Sequence, residues 1–236
     1  MKRFFSNTIP VLSGFEANHA FKVLRCKEGE LVEIIDGSGK LFRAKIFSVH
    51  KNEAQLVDLE LLEHQTENQN KLSIAIAPTK NSDRIEFFLE KATEIGVDNI
   101  YFIETHRTER NKTNISRYYN KVVSACKQSK QLYLPIMHTI QSYDELLASH
   151  HIKAYEQLFI AHCNETTKQL LTHQYQKNKQ ALLLIGPEGD FTEEEINLAL
   201  NKNFVPVSLG NTILRVETAG IVACVTVNNI NNENSL

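Results

Sequence analysis

The chain has 236 residues, of which 42% are hydrophobic and 23% are charged. These values are typical of folded globular proteins and exclude a disordered or low-complexity chain. The formal net charge is -2, so no global basic excess indicates a polyanionic partner. Charge is nevertheless uneven: residues 71–130 carry 11 basic and seven acidic groups, whereas residues 131–236 carry six and 11.

The spacing of the cysteines and the lengths of the apolar runs indicate the cellular compartment of the protein. Cys26, Cys126, Cys163 and Cys224 lie far apart without a C-x-x-C pair, which disfavours both a disulfide framework and a zinc site. The N-terminal segment lacks the apolar core of a signal peptide, and no run approaches the roughly 20 apolar residues of a membrane span. We therefore expect a cytoplasmic protein with reduced thiols, without a metal and without a membrane partner.

The first part of the chain is typical of a small antiparallel β unit. A short helix over 16–25 is followed by apolar or alternating runs at 31–35, 41–46 and 54–59, which Asp-Gly and Lys-Asn turns separate. Residues 63–70 are polar without periodicity and predict a linker. The domains are accordingly expected at 1–68 and 72–236.

After residue 71, apolar strands alternate with amphipathic helices, which predicts a largely parallel sheet covered by helices. The fold class is therefore α/β, with a small β domain preceding it. Strands are predicted at 72–77, 99–104, 157–162, 181–185 and 206–209. Helices are predicted at 84–95, 115–130, 143–150, 166–176, 193–201 and 218–228.

Two glycine loops that follow strands are the candidate binding segments. Gly-Pro-Glu-Gly at 186–189 follows one buried strand and precedes a capping box formed by Thr192 and Glu195. Ligands of open α/β sheets bind beyond the carboxyl ends of strands, where glycine allows close approach to the backbone. The loop fits neither the P-loop nor the dinucleotide pattern, and a plain strand-to-helix turn is the alternative.

The second loop follows Leu209-Gly210 and carries Arg215 and Glu217 ahead of a nearly uncharged helix. Two charges in such a place are costly unless they are paired or face a ligand. A simple surface pair of Arg215 with Glu217 is the alternative explanation. Together the two loops predict one composite pocket.

Four segments together resemble the RsmE family of 16S ribosomal RNA methyltransferases. Three of them are Leu-Ile-Gly-Pro-Glu-Gly-Asp-Phe at 184–191, Ser-Leu-Gly-x-x-Ile-Leu-Arg-x-Glu-Thr-Ala at 208–219 and Glu-Lys-Ala-Thr-Glu-Ile-Gly-Val at 90–97. The fourth is the N-terminal part, residues 21–30 with Asp-Gly-Ser-Gly at 36–39, which is similar to the family's PUA-like RNA-binding domain. The resemblance spans nearly the whole chain.

The resemblance implies a SPOUT-type sheet with a C-terminal trefoil knot, a rare exception to the rule against knots, and an N-terminal PUA-like β-barrel. It implies a homodimer that uses S-adenosyl-L-methionine to methylate N3 of a decoding-region uridine in 16S rRNA of the small ribosomal subunit. A SPOUT enzyme that acts on another RNA nucleotide and a non-catalytic RNA-binding module remain alternatives.

Carried over by position, the resemblance also assigns site residues. Arg215 would stabilise the anionic base, and Glu217 would either hold Arg215 in place, which we prefer, or accept the proton. His162, at the end of a strand, would face the cofactor, with a solvated histidine as the alternative. A valine at Gly189 would block the cofactor sterically. The cofactor-binding set is His162, Ile185, Gly186, Pro187, Glu188, Gly189, Leu209, Gly210, Ile213, Leu214, Thr218 and Ala219.

Contacts with RNA phosphates require Lys and Arg but no sequence reading. Family members commonly show Glu first and Arg last in the segment that is Lys-Gln-Ser-Lys-Gln at 127–131 here. Lysine cannot make the bidentate contact of arginine, so we expect phosphate contact rather than base positioning there. An ordinary solvated charge is the alternative for each candidate. The candidates are Lys2, Arg3, Lys22, Arg25, Arg107, Arg110, Lys112, Lys127 and Lys130.

Overall fold

The computed structural model describes residues 1–50, 52–68, 71–109, 114–164 and 168–233, which form two compact units. The first unit combines Met1–Glu67 with Val122–Leu134, and the second combines Asn68–Lys121 with Pro135–Leu236. Residues 122–134 belong to the first unit although they lie far along the chain, inside the range that the sequence assigned to the second domain.

The first unit contains a five-stranded sheet in the described residues, in the order β1-β3-β4-β5-β2. Strand β1 runs parallel to β3, and the other neighbours are antiparallel. The three predicted strands are confirmed, although β5 continues into the predicted linker, and β1 and β2 were not predicted. The strands are β1 (Arg3–Phe5), β2 (Val11–Ser13), β3 (Leu31–Ile35), β4 (Lys40–His50) and β5 (Glu53–His64).

The helix predicted over 16–25 is not one continuous α-helix in the structure. A short α1 (Gly14–Asn18) is followed directly by a π-helical turn over His19–Val23. Ala17 and Ala20 from these two turns are buried in a core cluster with Phe4, Val32 and Ile46. The two turns therefore close one side of the sheet.

A second apolar cluster of the first unit joins residues from distant parts of the chain. Phe5, Ile35 and Leu41 pack with Val123 and Cys126. Gly39 allows a further close approach, because its φ is +98° and a Cβ there would lie 2.6 Å from the Tyr133 ring. The segment 122–134 thus completes the core of the first unit.

The second unit contains an eight-stranded sheet in the described residues, in the order β11-β13-β10-β12-β6-β7-β8, with β9 beside β7. Every neighbouring pair is parallel, as predicted. The strands are β6 (Leu72–Ile76), β7 (Asn99–Glu104), β8 (Ile136–Met137), β9 (Gln141–Ser142), β10 (Gln157–Ala161), β11 (Gln169–Leu170), β12 (Ala181–Ile185) and β13 (Val205–Ser208).

Five of the predicted helices of the second part of the chain are confirmed, and one is wrong. The exception is 166–176, whose described residues form β11 and a four-residue helix. The helices are α2 (Ser82–Ile95), α3 (Ile115–Gln128), α4 (Tyr143–Ala148), α5 (Leu171–Gln174), α6 (Glu193–Asn201) and α7 (Val216–Asn232), with a 3₁₀ turn at His150–Ala154. No helix within the described ranges is both long and apolar enough to cross a membrane.

Close helix packing holds α7 beside α2. Gly220 lies against Phe88, and a Cβ at position 220 would lie only 2.5 Å from the Phe88 ring. Glycine is needed here because any side chain would force the two helices apart. This contact fixes the start of α7, and with it the loop that carries Arg215.

Candidate active site

A cavity lies beyond the carboxyl ends of three neighbouring strands of the second unit. Strands β13, β10 and β12 are adjacent and parallel, so the loops after Ala161, Ile185 and Ser208 meet at one edge of the sheet. The cavity measures about 440 Å³, which is within the range of small-molecule sites. This is the edge at which open α/β sheets bind ligands.

The structure brings both predicted glycine loops to this cavity. Arg215 lines it too, whereas Gly189, Glu217 and Thr218 are not among its lining residues. The predicted cofactor residues that line it are His162, Ile185, Gly186, Pro187, Glu188, Leu209, Gly210, Ile213, Leu214 and Ala219. A third loop also contributes Cys163 and Lys168, and the first loop contributes Asp190. Sequence analysis assigned no role to these three: no motif includes Cys163 or Lys168, and Asp190, although it lies in the 184–191 motif, was not predicted as a site residue.

Asp190 ties two of the loops together. Its Oδ2 accepts a hydrogen bond from the backbone N–H of Cys163 at 2.7 Å, and its Oδ1 accepts one from the N–H of Phe191 at 2.8 Å. The turn ends at the predicted capping box, in which the Thr192 hydroxyl accepts from the N–H of Glu195 at 3.2 Å and the carboxylate accepts in return at 2.8 Å. Both ends of the turn are therefore fixed.

Arg107 braces the same turn from the loop after β7. Its Nη1 donates to the carbonyl oxygen of Gly189 at 2.7 Å and to that of Phe191 at 3.5 Å. A Cβ at Gly189 would lie 3.2 Å from Cδ of Arg107. Gly189 thus makes room for the arginine, and a larger residue there would press on the Arg107 side chain.

His162 is a buried wall residue with a defined tautomer, and only 7% of it is exposed. The Lys168 ammonium donates to the carbonyl oxygens of His162 and Asn164, at 2.7 and 2.6 Å, and lies 3.4 Å from Nδ1 of His162. An ammonium can only donate, so Nδ1 is the accepting nitrogen and Nε2 carries the hydrogen. Burial lowers the pKa of His162, and Lys168 lowers it further against the opposing effect of Asp190. The neutral ring is therefore a donor through Nε2, not a solvated histidine.

Arg215 and Glu217 lie at the start of α7 but do not pair. Arg215 is exposed at the N-cap position, whereas Glu217 is 7% exposed and its Oε2 has no hydrogen-bond partner. Among the ion pairs of the described residues, none involves either side chain. The surface-pair alternative is therefore not observed, and Arg215 faces the cavity without an ionic partner.

The predicted RNA-binding residues of the first unit divide into two groups. Lys22, Arg25 and Lys130 are exposed. Arg3 is held by Glu33 at 2.8 Å, and the Lys2 ammonium lies 2.8 Å from Glu30.

Lys127 is the clearest departure from the prediction. Its Nζ lies 2.6 Å from Oε1 of Glu16, and the side chains of the pair are 9% and 7% exposed. The ammonium also lies 5.8 Å from the centre of the Phe4 ring. This burial argues against the predicted phosphate contact by Lys127. Arg110 and Lys112 lie outside the described residues.

Comparison with known proteins finds relatives over most of the chain. The family profile of an RNA methyltransferase domain matches residues 66–228, and that of an RNA methyltransferase PUA domain matches residues 12–59. The ribosomal RNA small subunit methyltransferase E of Synechocystis is 31% identical over 223 residues, which cover 92% of this chain and 72% of that relative. The chain belongs to the RsmE family of RNA methyltransferases. The resemblance drawn from the sequence motifs is thereby confirmed.

Solved structures share the RsmE architecture. A "probable rRNA-methyltransferase" from Porphyromonas gingivalis is similar with a TM-score of 0.87 and 34% identity, covering 98% of both chains. The ribosomal RNA small subunit methyltransferase E of Neisseria gonorrhoeae was crystallised with S-adenosyl methionine. It is similar with a TM-score of 0.78 and 27% identity, and the match covers 95% of both chains. The similarity therefore extends over both units of this chain.

Proposed function

We propose that this RsmE-family enzyme transfers the methyl group of S-adenosyl-L-methionine to N3 of a decoding-region uridine in 16S rRNA of the small ribosomal subunit. One observation carries the proposal: the two motif loops, 185–189 and 209–215, meet at a single ligand-sized cavity. The name of the Synechocystis relative supports the RNA substrate, and the bound molecule of the Neisseria relative supports the cofactor.

The residues of the cavity fit this cofactor. Ile185, Leu209 and Leu214 offer an apolar wall for a flat purine ring. The backbone groups of residues 211–214 have no hydrogen-bond partner among the described residues, so they are free to bind polar groups of a ligand. Gly210 has a φ of +150°, and nothing lies within 4 Å of where its Cβ would be. Bound S-adenosylmethionine supplies a methyl group on a positively charged sulfur.

The chain's own residues must orient uracil and ease the loss of its N3 proton. Orientation alone supplies much of the acceleration in such a two-substrate reaction. The Arg215 guanidinium, exposed at the cavity and without an ionic partner, is suited to stabilise negative charge that develops on the uracil oxygens. Lys168 is less suited, because backbone carbonyls of its own loop already occupy its ammonium.

Binding of the RNA backbone would use the exposed cations. Lys22, Arg25 and Lys130 of the first unit are accessible for phosphate contact, which carries no sequence information but weakens as salt rises. Because the substrate would be the small ribosomal subunit, we place this activity in the cytoplasm.

The proposal includes the family's finer architecture. The C-terminal part, including the cavity loops, would form a trefoil knot, and the first unit would form a PUA-like β-barrel. A homodimer would cover apolar side chains that the single chain exposes, including Ile213, which is 85% exposed, and Phe87 and Val225. Analytical ultracentrifugation at micromolar concentration is expected to show twice the 26.9 kDa chain mass, and a monomer would refute this part.

The function is tested with labelled S-adenosylmethionine and small ribosomal subunits that lack the modification. After the reaction the RNA is digested and the labelled nucleoside is identified by mass spectrometry. We expect label in 3-methyluridine, and no label with subunits that already carry the modification. Label in another nucleoside would indicate a different RNA target. If calorimetry detects no cofactor binding, the protein would instead be a non-catalytic RNA-binding module.

A further inference from the structure

We infer that Glu188 accepts the N3 proton of the target uridine and that Arg84 is a positioning residue for its carboxylate. The inference rests on the proposed function, because it concerns the proton that a uridine N3 must lose. It goes further by assigning that proton to one group of the cavity.

The step balances without any further reactant. The N3–H bond breaks and its proton passes to a carboxylate oxygen of Glu188. The N3 electron pair forms a bond to the methyl carbon while the bond from that carbon to sulfur breaks, and its electron pair remains on sulfur as a neutral thioether. The protein therefore has to provide a base that is ionised at neutral pH and reaches the cavity.

Two of the described titratable wall residues are unsuitable bases. His162 has its Nδ1 beside the Lys168 ammonium, which can only donate, so the other ring nitrogen carries the hydrogen and cannot accept a proton. Burial raises the pKa of the Cys163 thiol, and Asp190 raises it further. That thiol is therefore protonated at neutral pH.

Two carboxylates near the cavity are also unsuitable. Both oxygens of Asp190 already accept backbone N–H groups, from Cys163 and Phe191, and this bonding fixes the two loops. Glu217 is 7% exposed and does not line the cavity. A uracil ring bound in the cavity could therefore not reach its carboxylate unless α7 moved.

Glu188 supplies a carboxylate that reaches the cavity. It lines the cavity with a side chain that is 44% exposed, and its carboxylate accepts no hydrogen bond from any described residue. Its ionic neighbour is Arg84 in the first turn of α2, whose Nη1 lies 3.6 Å from Oε1 of Glu188. Lys80, in the loop before α2, pairs with Glu109 at 2.9 Å and interacts only weakly with Glu188.

A contact of 3.6 Å between Arg84 and Glu188 orients the carboxylate without occupying it. The distance exceeds that of a hydrogen bond, so lone pairs on both oxygens of Glu188 remain available to a proton. The guanidinium nevertheless attracts the carboxylate by its charge and so orients it. Arg84 thus acts through Glu188, and it is not itself one of the cavity-lining residues.

The test compares Glu188→Gln with the matched variant Glu193→Gln under single-turnover conditions on unmodified small subunits. Glutamine keeps the size of the side chain but cannot accept the proton. We expect Glu188→Gln to slow formation of 3-methyluridine by about 10²-fold or more, with cofactor Kd unchanged by calorimetry. Glu193 is exposed in the first turn of α6 and does not line the cavity, so its variant should react at the wild-type rate.

A substrate whose N3–H is more acidic distinguishes a defect in proton transfer from a structural defect. RNA in which 5-fluorouridine replaces uridine has a more acidic N3–H, so it should recover most of the rate lost in Glu188→Gln, and raising the pH should do the same. Equal rates for Glu188→Gln and wild type, or a loss that neither change recovers, would overturn the assignment. If the wild-type enzyme itself forms no 3-methyluridine, the proposed function fails and the inference falls with it.

Arg84 is tested by a pair of substitutions. Arg84→Met removes the charge and is expected to lower kcat about tenfold while KM for RNA and Kd for the cofactor stay unchanged. Arg84→Lys keeps the charge and should recover most of the rate. A loss that appears only in KM would assign Arg84 to RNA binding, and equal losses in both variants would overturn its role in orienting Glu188.

Discussion

Arg215 is the cavity residue whose loss should separate chemistry from cofactor binding. Its side chain is exposed and has no ionic partner, so removing it leaves no buried charge behind. We expect Arg215→Ala to lower kcat by about 10²-fold or more, as for other groups that stabilise developing negative charge, and to leave the calorimetric Kd of the cofactor near its normal value. Arg43→Ala, at a half-exposed arginine of the first unit that pairs with Glu60 and does not line the cavity, is the control. Retained turnover in Arg215→Ala would remove this residue from the mechanism.

His138 should make the stability of the protein fall in mildly acidic solution. Its ring stacks on Tyr101 with a centroid separation of 3.9 Å, and its Nε2 lies 3.3 Å from Oδ1 of Asn99. Burial lowers the pKa of His138, and the charge of His151 lowers it further. The unfolded chain, with a histidine pKa of about 6.5, then binds the proton first. This contribution to stability is therefore complete above about pH 6.5 and is lost as the pH falls through the folded-state pKa.

The variant His138→Phe tests this dependence, because it keeps a flat ring against Tyr101 but cannot titrate. We expect the free energy of unfolding in urea to fall less between about pH 7.5 and 5.5 in this variant than in the wild type. His64→Gln, at an exposed histidine, should behave as the wild type. Equal losses in His138→Phe and the wild type would show that His138 is not the responsible group.

The turn after β12 is the element through which Gly189 should affect the cofactor. Since a Cβ at Gly189 would meet Arg107, we expect Gly189→Val to displace that arginine and thereby distort residues 186–188 at the cavity wall. Calorimetry should show weaker cofactor binding in Gly189→Val than in the wild type. Combining it with Arg107→Ala, which removes the obstacle, should recover part of the affinity compared with Gly189→Val alone. No recovery would support direct steric blocking of the cofactor instead.

The elements around the cavity were predictable where local sequence determines them. The strand that ends at Ile185 is a run of apolar residues, and the capping box at Thr192 marks the start of α6, so both were found. The helix predicted over 166–176 was wrong because Gln169 and Leu170 pair with β13, a contact with a distant part of the chain that local sequence does not show. Lys168 could not be assigned because its role depends on the folded path of its own loop, in which the carbonyl groups of His162 and Asn164 accept from its ammonium.

Helix α3 shows what periodicity alone cannot predict. Its apolar spacing correctly predicted a helix from residue 115, because a buried face repeats every 3.6 residues. Periodicity identifies the buried face but not the element that covers it. Val123 and Cys126 pack with Phe5, Ile35 and Leu41 of the first unit, a pairing across more than 80 positions of the chain. The buried pair of Lys127 with Glu16 follows from the same arrangement.

At the scale of the whole molecule, the first unit should require residues 122–134 in order to fold. A fragment of residues 1–68 would expose Phe5, Ile35 and Leu41 and would leave the buried Glu16 carboxylate without Lys127. Breaking a buried ion pair by removing one partner costs about 3–5 kcal/mol, a large share of the stability of a small domain. We therefore expect this fragment to lack cooperative thermal unfolding by circular dichroism.

Joining residues 122–134 to that fragment through a flexible glycine-serine linker should restore the fold, because it returns both the apolar cluster and the ammonium partner of Glu16. The matched control carries the same 13 residues in scrambled order, and it should remain unfolded. Replacing Lys127 by Met in the restored fragment should lower its midpoint of unfolding, whereas Glu16→Gln in addition should recover part of the loss by removing the unpaired charge. Cooperative unfolding of residues 1–68 alone would show instead that the N-terminal sheet needs no partner from the middle of the chain.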